Sequence, residues 1–132
     1  MMSDRSDQAV PKISSLQRAK IIMPNQKVTE IMLGPKQAPE IYVGDAYDCK
    51  VDTWSYGVIL YYLLAGTSHF PELDTTSDRK TVAKMYRSFK PDWQPLLARK
   101  VTQLAIDLVR KCLVVDPDRR LTMHGVLKHA WF

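Results

Sequence analysis

The hydrophobic pattern is strongest between Asp48 and Gly66, which bound the longest apolar run in the chain. One face of this run repeats with the period of an α-helix, at Val51, Trp54, Ser55, Val58, Ile59, Tyr62 and Leu63. The opposite face is nearly as apolar, and a helix that is apolar on both faces is typical of a buried central helix. The run is too short for a membrane span and carries Asp52 near its start. We therefore predict a core helix that ends at Gly66, a residue suited to a left-handed cap.

Weaker patterns predict further helices in the C-terminal half of the chain. A helix is predicted from about Gln103 to Leu113, with Thr102 as its N-cap. A short basic helix is predicted over residues 77–88 and ends before Pro91. Thr122 is the expected cap of a last helix, which would carry Val126, Leu127 and Trp131. No segment after Ile41 alternates with period two, so the predicted fold is mainly helical.

The N-terminal part of the chain has no comparable pattern. Residues 1–12 are polar, and we expect them to form a mobile tail. Residues 13–33 are compatible with a short helix or with extended pieces, and the sequence leaves these alternatives open. We therefore divide the chain into residues 1–33, expected to be partly disordered, and a helical unit over residues 34–132.

Composition and charge place the chain among ordinary globular proteins. It has 132 residues, 45% of them hydrophobic and 25% charged, which fits one domain with a core. The net charge of +5 comes largely from residues 79–111, where nine basic residues face Asp92 and Asp107. This basic face could meet an acidic protein partner, although a solvated helix surface is the simpler interpretation. We predict no nucleic-acid binding by this face, and no membrane binding because the longest apolar run is too short to span a bilayer.

The two cysteines, Cys49 and Cys112, have neither the spacing of a metal site nor an obvious disulfide partner. We predict no bound metal, and two buried thiols in a reducing compartment. The N-terminus lacks the apolar segment of a secretory signal. These features predict an intracellular protein of the cytoplasm or nucleus.

Several short motifs occur in a meaningful order. They are Ala38-Pro39-Glu40, then Asp52-x-Trp54-Ser55-x-Gly57-Val58, Trp93, Asp116-Pro117-x-x-Arg120 and His129-x-Trp131-Phe132. Together they resemble the C-terminal lobe of a eukaryotic serine/threonine protein kinase, over residues 38–132. The sequence around residues 105–109 and 113–117 is most similar to the calmodulin-dependent kinase group, in particular its checkpoint kinases with forkhead-associated domains. The resemblance implies a partial kinase-like C-lobe built around the buried central helix, preceded by a divergent piece of activation segment in residues 1–33.

The resemblance also implies roles for individual residues. Glu40 would pair with Arg120, and Asp52 would accept hydrogen bonds from the backbone of a catalytic loop. Simpler alternatives are a surface salt bridge for Glu40 and a helix-capping carboxylate for Asp52. The structural residues carried over from the family motifs are Ala38, Pro39, Glu40, Asp52, Trp54, Gly57 and Arg120.

The sequence lacks the motifs that carry kinase chemistry. Kinases use a glycine-rich loop over the phosphates, an aspartate base in a His-Arg-Asp motif and an Asp-Phe-Gly metal ligand. The closest glycines are Gly57 and Gly66, and none of the three phenylalanines follows an aspartate. We therefore predict no catalytic or cofactor-binding residues, with ATP and magnesium expected only for full-length relatives.

Two functions remain open from the sequence. The chain is either a truncated kinase lobe that is inactive alone, or a pseudokinase-like helical module that docks a protein partner through its exposed lobe or basic face. In the second case, we expect Asp52 to be satisfied by residues 1–33. An enzyme of another class is not supported, because His69, His124 and His129 have no paired nucleophile or ligand spacing.

Overall fold

The computed structural model describes residues 10, 12–30, 37–67 and 78–132. Within these ranges the chain is helical and forms no strand, which confirms the predicted fold class. The helices are α1 (Pro39–Val43), α2 (Lys50–Ala65), α3 (Arg79–Ser88), α4 (Gln94–Ala98), α5 (Gln103–Cys112) and α6 (Met123–Leu127), preceded by a 3-10 turn at Leu16–Arg18. None of the helices in this described part is long and apolar enough to cross a membrane.

Helix α2 lies at the centre of the fold and has well-defined ends. At its start, the Asp48 carboxylate accepts a hydrogen bond from the Lys50 N–H at 2.8 Å. At its end, Gly66 adopts the predicted left-handed conformation, with φ of 69°, and its N–H donates to the Tyr62 carbonyl at 2.8 Å. Helices α4, α5 and α6 pack against α2, whereas α1 packs against α3.

Side-chain caps fix the starts of α5 and α6 as predicted. The Thr102 hydroxyl accepts a hydrogen bond from the Ala105 N–H, and the Thr122 hydroxyl accepts one from the Gly125 N–H. The last helix is shorter than predicted. It ends at Leu127, which is 70% exposed, so Trp131 lies beyond the helix.

An aromatic cluster joins α2 to α3. Trp54 is fully buried, with its ring centroid 6.0 Å from that of Tyr86 and 6.4 Å from that of Phe89. Tyr86 also stacks on Tyr42 of α1 at 5.6 Å. Since aromatic side chains bury large apolar areas, this cluster is a major part of the core around α2.

Helix α2 is the predicted core helix, although one of its two apolar faces is exposed. Ile59, Tyr62 and Leu63 are 59%, 53% and 70% exposed, respectively. The helices that pack on α2 contact its other side, which buries Trp54, Val58, Leu60 and Tyr61 among others. An apolar helix face is buried only where another element covers it, and nothing in the described part of the chain covers this one.

The prediction of two buried thiols is correct for one cysteine only. Cys112 is fully buried in α5, and burial raises the pKa of its thiol to about 11. Cys49 is exposed because it precedes the first turn of α2 at its N-cap position. Neither cysteine forms a disulfide.

The N-terminal segment is attached to the helical part through Tyr47. Val28 and Tyr47 exchange two backbone hydrogen bonds of 2.8 and 2.9 Å as an isolated antiparallel bridge. The Tyr47 hydroxyl also donates to the Glu30 carbonyl at 2.8 Å. Most of the predicted tail of residues 1–12 lies outside the described residues, as does His69.

Candidate functional site

A buried ion pair joins α1 to the turn that follows α5. Arg120 Nη1 donates to Glu40 Oε1 at 2.6 Å, and Nη2 donates to Oε2 at 2.9 Å. The two residues are 80 positions apart in the chain, and only 4% of Glu40 and 3% of Arg120 is exposed. The planar guanidinium group matches both oxygens of the carboxylate, so the two hydrogen bonds fix the relative orientation of the two side chains as well as their distance.

The remaining N–H groups of Arg120 bind backbone carbonyls. Its Nε donates to Val114 O at 2.8 Å, Nη2 donates to Val115 O at 3.2 Å, and Nη1 donates to Lys50 O at 3.1 Å. A buried charge is tolerated when it is paired and its other hydrogen bonds are made. Arg120 meets both conditions, so it connects α1, the start of α2 and the turn after α5.

Trp54 and Lys50 bring α2 to the same place. The Arg120 guanidinium carbon lies 5.1 Å from the centroid of the Trp54 ring, within the range of a cation–π contact. The Lys50 ammonium group donates to Pro117 O at 2.8 Å, and so holds the turn that carries Arg120. Lys50 was missed by the sequence reasoning, because a lysine at the start of a helix gives no signal of a contact 67 residues away.

The other motif residues support this arrangement or lie apart from it. Ala38 and Pro39 are buried at the start of α1 and set the position of Glu40. Gly57 lies further along α2 against α5, where an added Cβ would be 2.7 Å from the Cys112 Cβ. The structure therefore brings Ala38, Pro39, Glu40, Trp54 and Arg120 together, places Gly57 at the neighbouring helix contact, and leaves Asp52 separate.

Asp52 lies on the exposed side of α2. Its carboxylate forms no hydrogen bond or ion pair with any residue that the structure describes, so it neither caps α2 nor binds residues 12–30. The pKa of Asp52 is nevertheless raised above its ordinary value, because neighbouring protein atoms remove part of its hydration.

A second ionic cluster lies near the end of the chain. One Asp107 oxygen is 2.7 Å from Lys111 Nζ and 3.0 Å from His129 Nε2. The Lys111 hydrogen bond, followed by that of His129, lowers the pKa of Asp107. Asp107 and Lys111 are about half-exposed and only the His129 side chain is largely buried, so this cluster is partly open to water, unlike the Glu40–Arg120 pair. The only signal in the sequence is the favourable spacing of Asp107 and Lys111 on one helix, which gives no sign of His129.

The clamp is not accompanied by a cluster of metal ligands among the described residues. Magnesium in phosphoryl transfer is held by carboxylates close to the phosphates. Among the residues that the structure describes, no group of three or more histidine, cysteine, aspartate or glutamate side chains could hold a metal. The one carboxylate of α2, Asp52, faces an exposed apolar surface instead of a glycine-rich loop. The site as described is a structural clamp.

Comparison with known proteins gives a consistent result. The family profile described as "Protein kinase domain" matches residues 1–132. Calcium/calmodulin-dependent protein kinase type IV of Homo sapiens is 41% identical over 96 residues, which cover 71% of this chain and 19% of that protein. Calcium-dependent protein kinase 14 of Arabidopsis thaliana is 39% identical over 109 residues, which cover 82% of this chain and 20% of that protein.

A solved structure agrees with these sequence relatives. The twitchin kinase region from C. elegans superimposes with a TM-score of 0.57 and 29% identity, covering 72% of this chain and 16% of that one. The chain thus spans about a fifth of the length of the relatives described above. The family profile extends over residues 1–132 and so includes the residues before Ala38, where the ordered motifs begin.

Proposed function

The chain belongs to the protein kinase family, and from this premise we propose that it is a part of a serine/threonine kinase C-lobe that does not transfer phosphate on its own. One observation carries the proposal. The structural clamp of Glu40, Trp54 and Arg120 is assembled in the described residues, while the sequence contains no Gly-x-Gly, His-Arg-Asp or Asp-Phe-Gly. The clamp stabilises a lobe, whereas the three missing motifs are those that position ATP and magnesium in kinases.

The relatives do not transfer their activity to this chain. The human and Arabidopsis kinases are matched over 19% and 20% of their length, so most of each protein has no counterpart here. Phosphoryl transfer depends on placing the phosphates, the metal and the substrate hydroxyl together. A chain with only the supporting lobe is expected to fold around α2 without forming that arrangement.

The test is a direct assay of nucleotide binding and phosphoryl transfer. We expect no heat of binding when the purified chain is titrated with magnesium and ATP, and no phosphate incorporation into a generic substrate. A protein expressed with the tag alone controls for contaminating kinases. Phosphorylation above that control, lost in Arg120→Ala protein prepared in the same way, would overturn the proposal.

A second candidate function is docking of an acidic protein partner, and the charge distribution favours it. Lys80 and Lys84 are exposed on α3, and Arg99, Lys100 and Arg110 are exposed further along the chain. None of the five forms an ion pair with a described residue, and Arg110 lies 5.0 Å over the Trp93 ring. Unpaired charges of one sign attract a partner of the opposite sign, with a dependence on salt.

This docking function is tested by titrating the chain with a poly-glutamate peptide at low and high salt. We expect binding that weakens with salt and is reduced in a Lys100→Glu, Arg110→Glu variant. Reversal of two basic residues outside the face, Lys12→Glu and Lys128→Glu, is the matched control. Equal losses in both double variants would mean that only net charge matters and would contradict a defined face.

We also propose that the chain belongs to the calmodulin-dependent kinase group, near the checkpoint kinases with forkhead-associated domains, and that it acts in the cytoplasm or nucleus. The likeness to the human calcium/calmodulin-dependent kinase supports the group assignment. A phylogeny of kinase domains that places the chain in another group would contradict it. A fluorescent fusion of the chain that localises outside the cytoplasm and nucleus would contradict the proposed location.

A further inference from the structure

The turn that follows α6 is built around His129. The His129 N–H donates to Val126 O at 3.0 Å, and the Phe132 N–H donates to His129 O at 3.0 Å. Only 7% of the His129 side chain is exposed, although Lys128 and Ala130 on either side of it are exposed. The imidazole ring is therefore enclosed between this turn and α5.

The two ring nitrogens of His129 have different partners. Nδ1 accepts a hydrogen bond from the Trp131 backbone N–H at 3.3 Å. A backbone N–H can only donate, so Nδ1 must present a lone pair and carry no proton. Nε2 lies 3.0 Å from Asp107 Oδ2, and a carboxylate can only accept. The hydrogen-bond network therefore assigns the single ring proton to Nε2, which donates it to Asp107.

A second proton on the ring is compatible with one of these contacts and not with the other. It would bind at Nδ1, because Nε2 already carries a proton, and the Nδ1–H and the Trp131 N–H would then point at one another. The contact of Nε2–H with Asp107 would become a charge-assisted hydrogen bond and so strengthen. Histidine is the side chain that ordinarily changes charge between pH 5 and 8, so mild acid is the condition that supplies this proton.

Two charged groups act on the ring in opposite directions. The Asp107 carboxylate favours the charged imidazolium, whereas the Lys111 ammonium group, 2.7 Å from the same Asp107 oxygen, disfavours it. The Lys111 hydrogen bond lowers the pKa of Asp107, so the carboxylate stays ionised when the ring takes up a proton. Asp107 therefore remains a partner of His129 in both charge states of the ring.

The other titratable groups near His129 do not contact it. Cys112 of α5 is buried, and its thiol stays neutral because burial raises its pKa to about 11. The remaining acidic and basic side chains of α5, α6 and the adjoining turns are exposed and form no ion pair with His129 in the described part of the chain. They are Arg110, Asp116, Asp118, Arg119, His124 and Lys128.

The turn around His129 also carries two aromatic side chains. The ring centroids of Trp131 and Phe132 are 5.0 Å apart. Trp131 is partly buried against the core, whereas Phe132 is 70% exposed. Because the Trp131 backbone is tied to Nδ1 of His129, loss of that hydrogen bond frees the backbone that places both rings.

We propose that His129 is a pH-sensitive latch: protonation at Nδ1 breaks its hydrogen bond with the Trp131 N–H and loosens residues 130–132, while Asp107 still binds the ring through Nε2. In the neutral form, the latch holds Trp131 against the core. In the charged form, the Trp131 and Phe132 side chains become more accessible to water. The step takes one proton from solvent to Nδ1 and changes no other covalent bond.

Nuclear magnetic resonance of the isotope-labelled chain tests the latch in the parent protein. At neutral pH, we expect the ring proton on Nε2 and an unprotonated Nδ1. As the pH is lowered to about 5, the Trp131 backbone amide resonance should move with the same midpoint as the His129 ring. The protection of that amide from hydrogen exchange should fall by about fivefold, the typical effect of losing one hydrogen bond.

Two histidine variants separate the latch from a general effect of acid. His129→Gln removes the titrating ring, so the Trp131 amide should no longer respond between about pH 7.5 and 5. His124→Gln is the matched control, because His124 of α6 is exposed and forms no hydrogen bond with a described residue. The response of Trp131 should be unchanged in His124→Gln.

Two charge variants should move the midpoint of the Trp131 response in opposite directions. Asp107→Asn removes the carboxylate that favours the imidazolium, so the midpoint should move to lower pH. Lys111→Gln removes the cation that opposes it, so the midpoint should move to higher pH. A purely structural role of this cluster would change stability without these opposite shifts.

Several outcomes would overturn the proposal. They are a proton on Nδ1 of the neutral ring, a Trp131 amide that does not follow the ring, a response that survives His129→Gln or is lost in His124→Gln, and midpoint shifts of the same sign in the two charge variants. Cooperative unfolding of each variant is measured first, and the position of the ring proton is measured in the parent without any substitution. The result is independent of the absence of phosphoryl transfer, because no nucleotide or substrate is present.

Discussion

The two sides of α2 differ in what they contact, although both are apolar. The closed face, formed by the buried residues Thr53, Trp54, Gly57, Val58, Leu60, Tyr61 and Ala65, packs on the neighbouring helices. The opposite side, the open face, is formed by the exposed residues Asp52, Ser55, Ile59, Tyr62 and Leu63. The same helix is thus a structural core on one side and an unoccupied surface on the other.

The ionic groups follow the same division. Arg120, on the closed side, binds Glu40 and three backbone carbonyls and lies over Trp54. Asp52, on the open side, has no partner among the described residues. A buried charge without partners would be strongly destabilising, whereas an exposed one costs little. The clamp therefore maintains the fold, whereas the Asp52 carboxylate contributes little to it.

The largest expected effect comes from removing the clamp. Arg120→Ala leaves the Glu40 carboxylate buried without its partner, which should lower the free energy of unfolding by about 3–5 kcal/mol. Since small domains are stable by only about 5–15 kcal/mol, this loss would remove a large part of the stability. Urea unfolding followed by circular dichroism measures the loss, and faster labelling of the buried Cys112 thiol reports it independently.

The neighbouring arginine is the matched control for this experiment. Arg119 is exposed and has no ion pair with a described residue. Arg119→Ala should therefore change the free energy of unfolding by no more than about 0.5 kcal/mol. Similar losses in the two variants would mean that the Glu40–Arg120 pair has no special role in stability.

The clamp was accessible from the sequence only through the ordered motifs. Glu40 and Arg120 are 80 residues apart, and no local pattern connects them, so the expected pairing rested on the resemblance. The caps at Thr102, Thr122 and Gly66 were predictable locally, because each depends on one residue type at the end of an apolar pattern. The contact of Lys50 with Pro117 was not predictable, since a tertiary contact leaves no mark on nearby residues.

The second prediction compares two leucines on opposite faces of α2. Leu60 is 7% exposed and Leu63 is 70% exposed. Leu60→Ala leaves a cavity in the core and should cost about 2–5 kcal/mol. Leu63→Ala should cost no more than about 0.5 kcal/mol, because most of the Leu63 side chain is already in water. Chemical denaturation of both variants under the same conditions measures the difference in unfolding free energy. Equal losses in the two variants would contradict the exposure of Leu63.

This difference also shows which part of the burial of α2 the apolar pattern leaves undecided. Leu60 and Leu63 are the same residue type in the same apolar run, so hydrophobicity alone assigns both to the core. Burial is decided by which elements arrive from elsewhere in the chain. A helix that is apolar on every side gives no periodic signal of its uncovered face, whereas the amphipathic α5 buries Leu108, Val109 and Cys112 on one side and leaves Arg110 and Lys111 exposed.

The third prediction concerns the contact between α2 and α5. A Cβ at Gly57 would be 2.7 Å from Cys112 Cβ, which is attached to the backbone and cannot swing away. Overpacking of this kind costs about 1–3 kcal/mol. The higher helix propensity of alanine returns about 1 kcal/mol, so Gly57→Ala should destabilise by about 1 kcal/mol on balance.

Gly125→Ala is the matched control in α6. Its nearest neighbour would be Leu121 Cδ2 at 3.0 Å, the end of a flexible side chain that can move. Helix propensity should therefore dominate, and the variant should be as stable as the parent or more stable by up to about 1 kcal/mol. Thermal unfolding of the two variants checks the opposite signs, and a stabilising Gly57→Ala would contradict the close approach of α2 and α5.

The smallest expected effect is in the exposed cluster of Asp107, Lys111 and His129. Ion pairs open to water contribute about 0–1 kcal/mol, so Asp107→Asn should lower the free energy of unfolding by less than about 1 kcal/mol at neutral pH. Asp45→Asn replaces an exposed carboxylate without an ion pair in the described residues and should have no measurable effect. A loss as large as that of Arg120→Ala would contradict the division between buried clamp and exposed cluster.

The pH dependence of this small effect has a definite sign. The pKa of Asp107 is lowered from 3.8 in the folded protein by Lys111 and His129, so the unfolded chain binds a proton at higher pH than the folded one. The stability from Asp107 is therefore fully present well above pH 3.8 and is lost as the pH falls through the folded-state pKa below that value. The difference in unfolding free energy between the parent and Asp107→Asn should shrink over that acidic range. A difference that grows as the pH falls would mean that Lys111 and His129 do not stabilise the Asp107 carboxylate in the folded state.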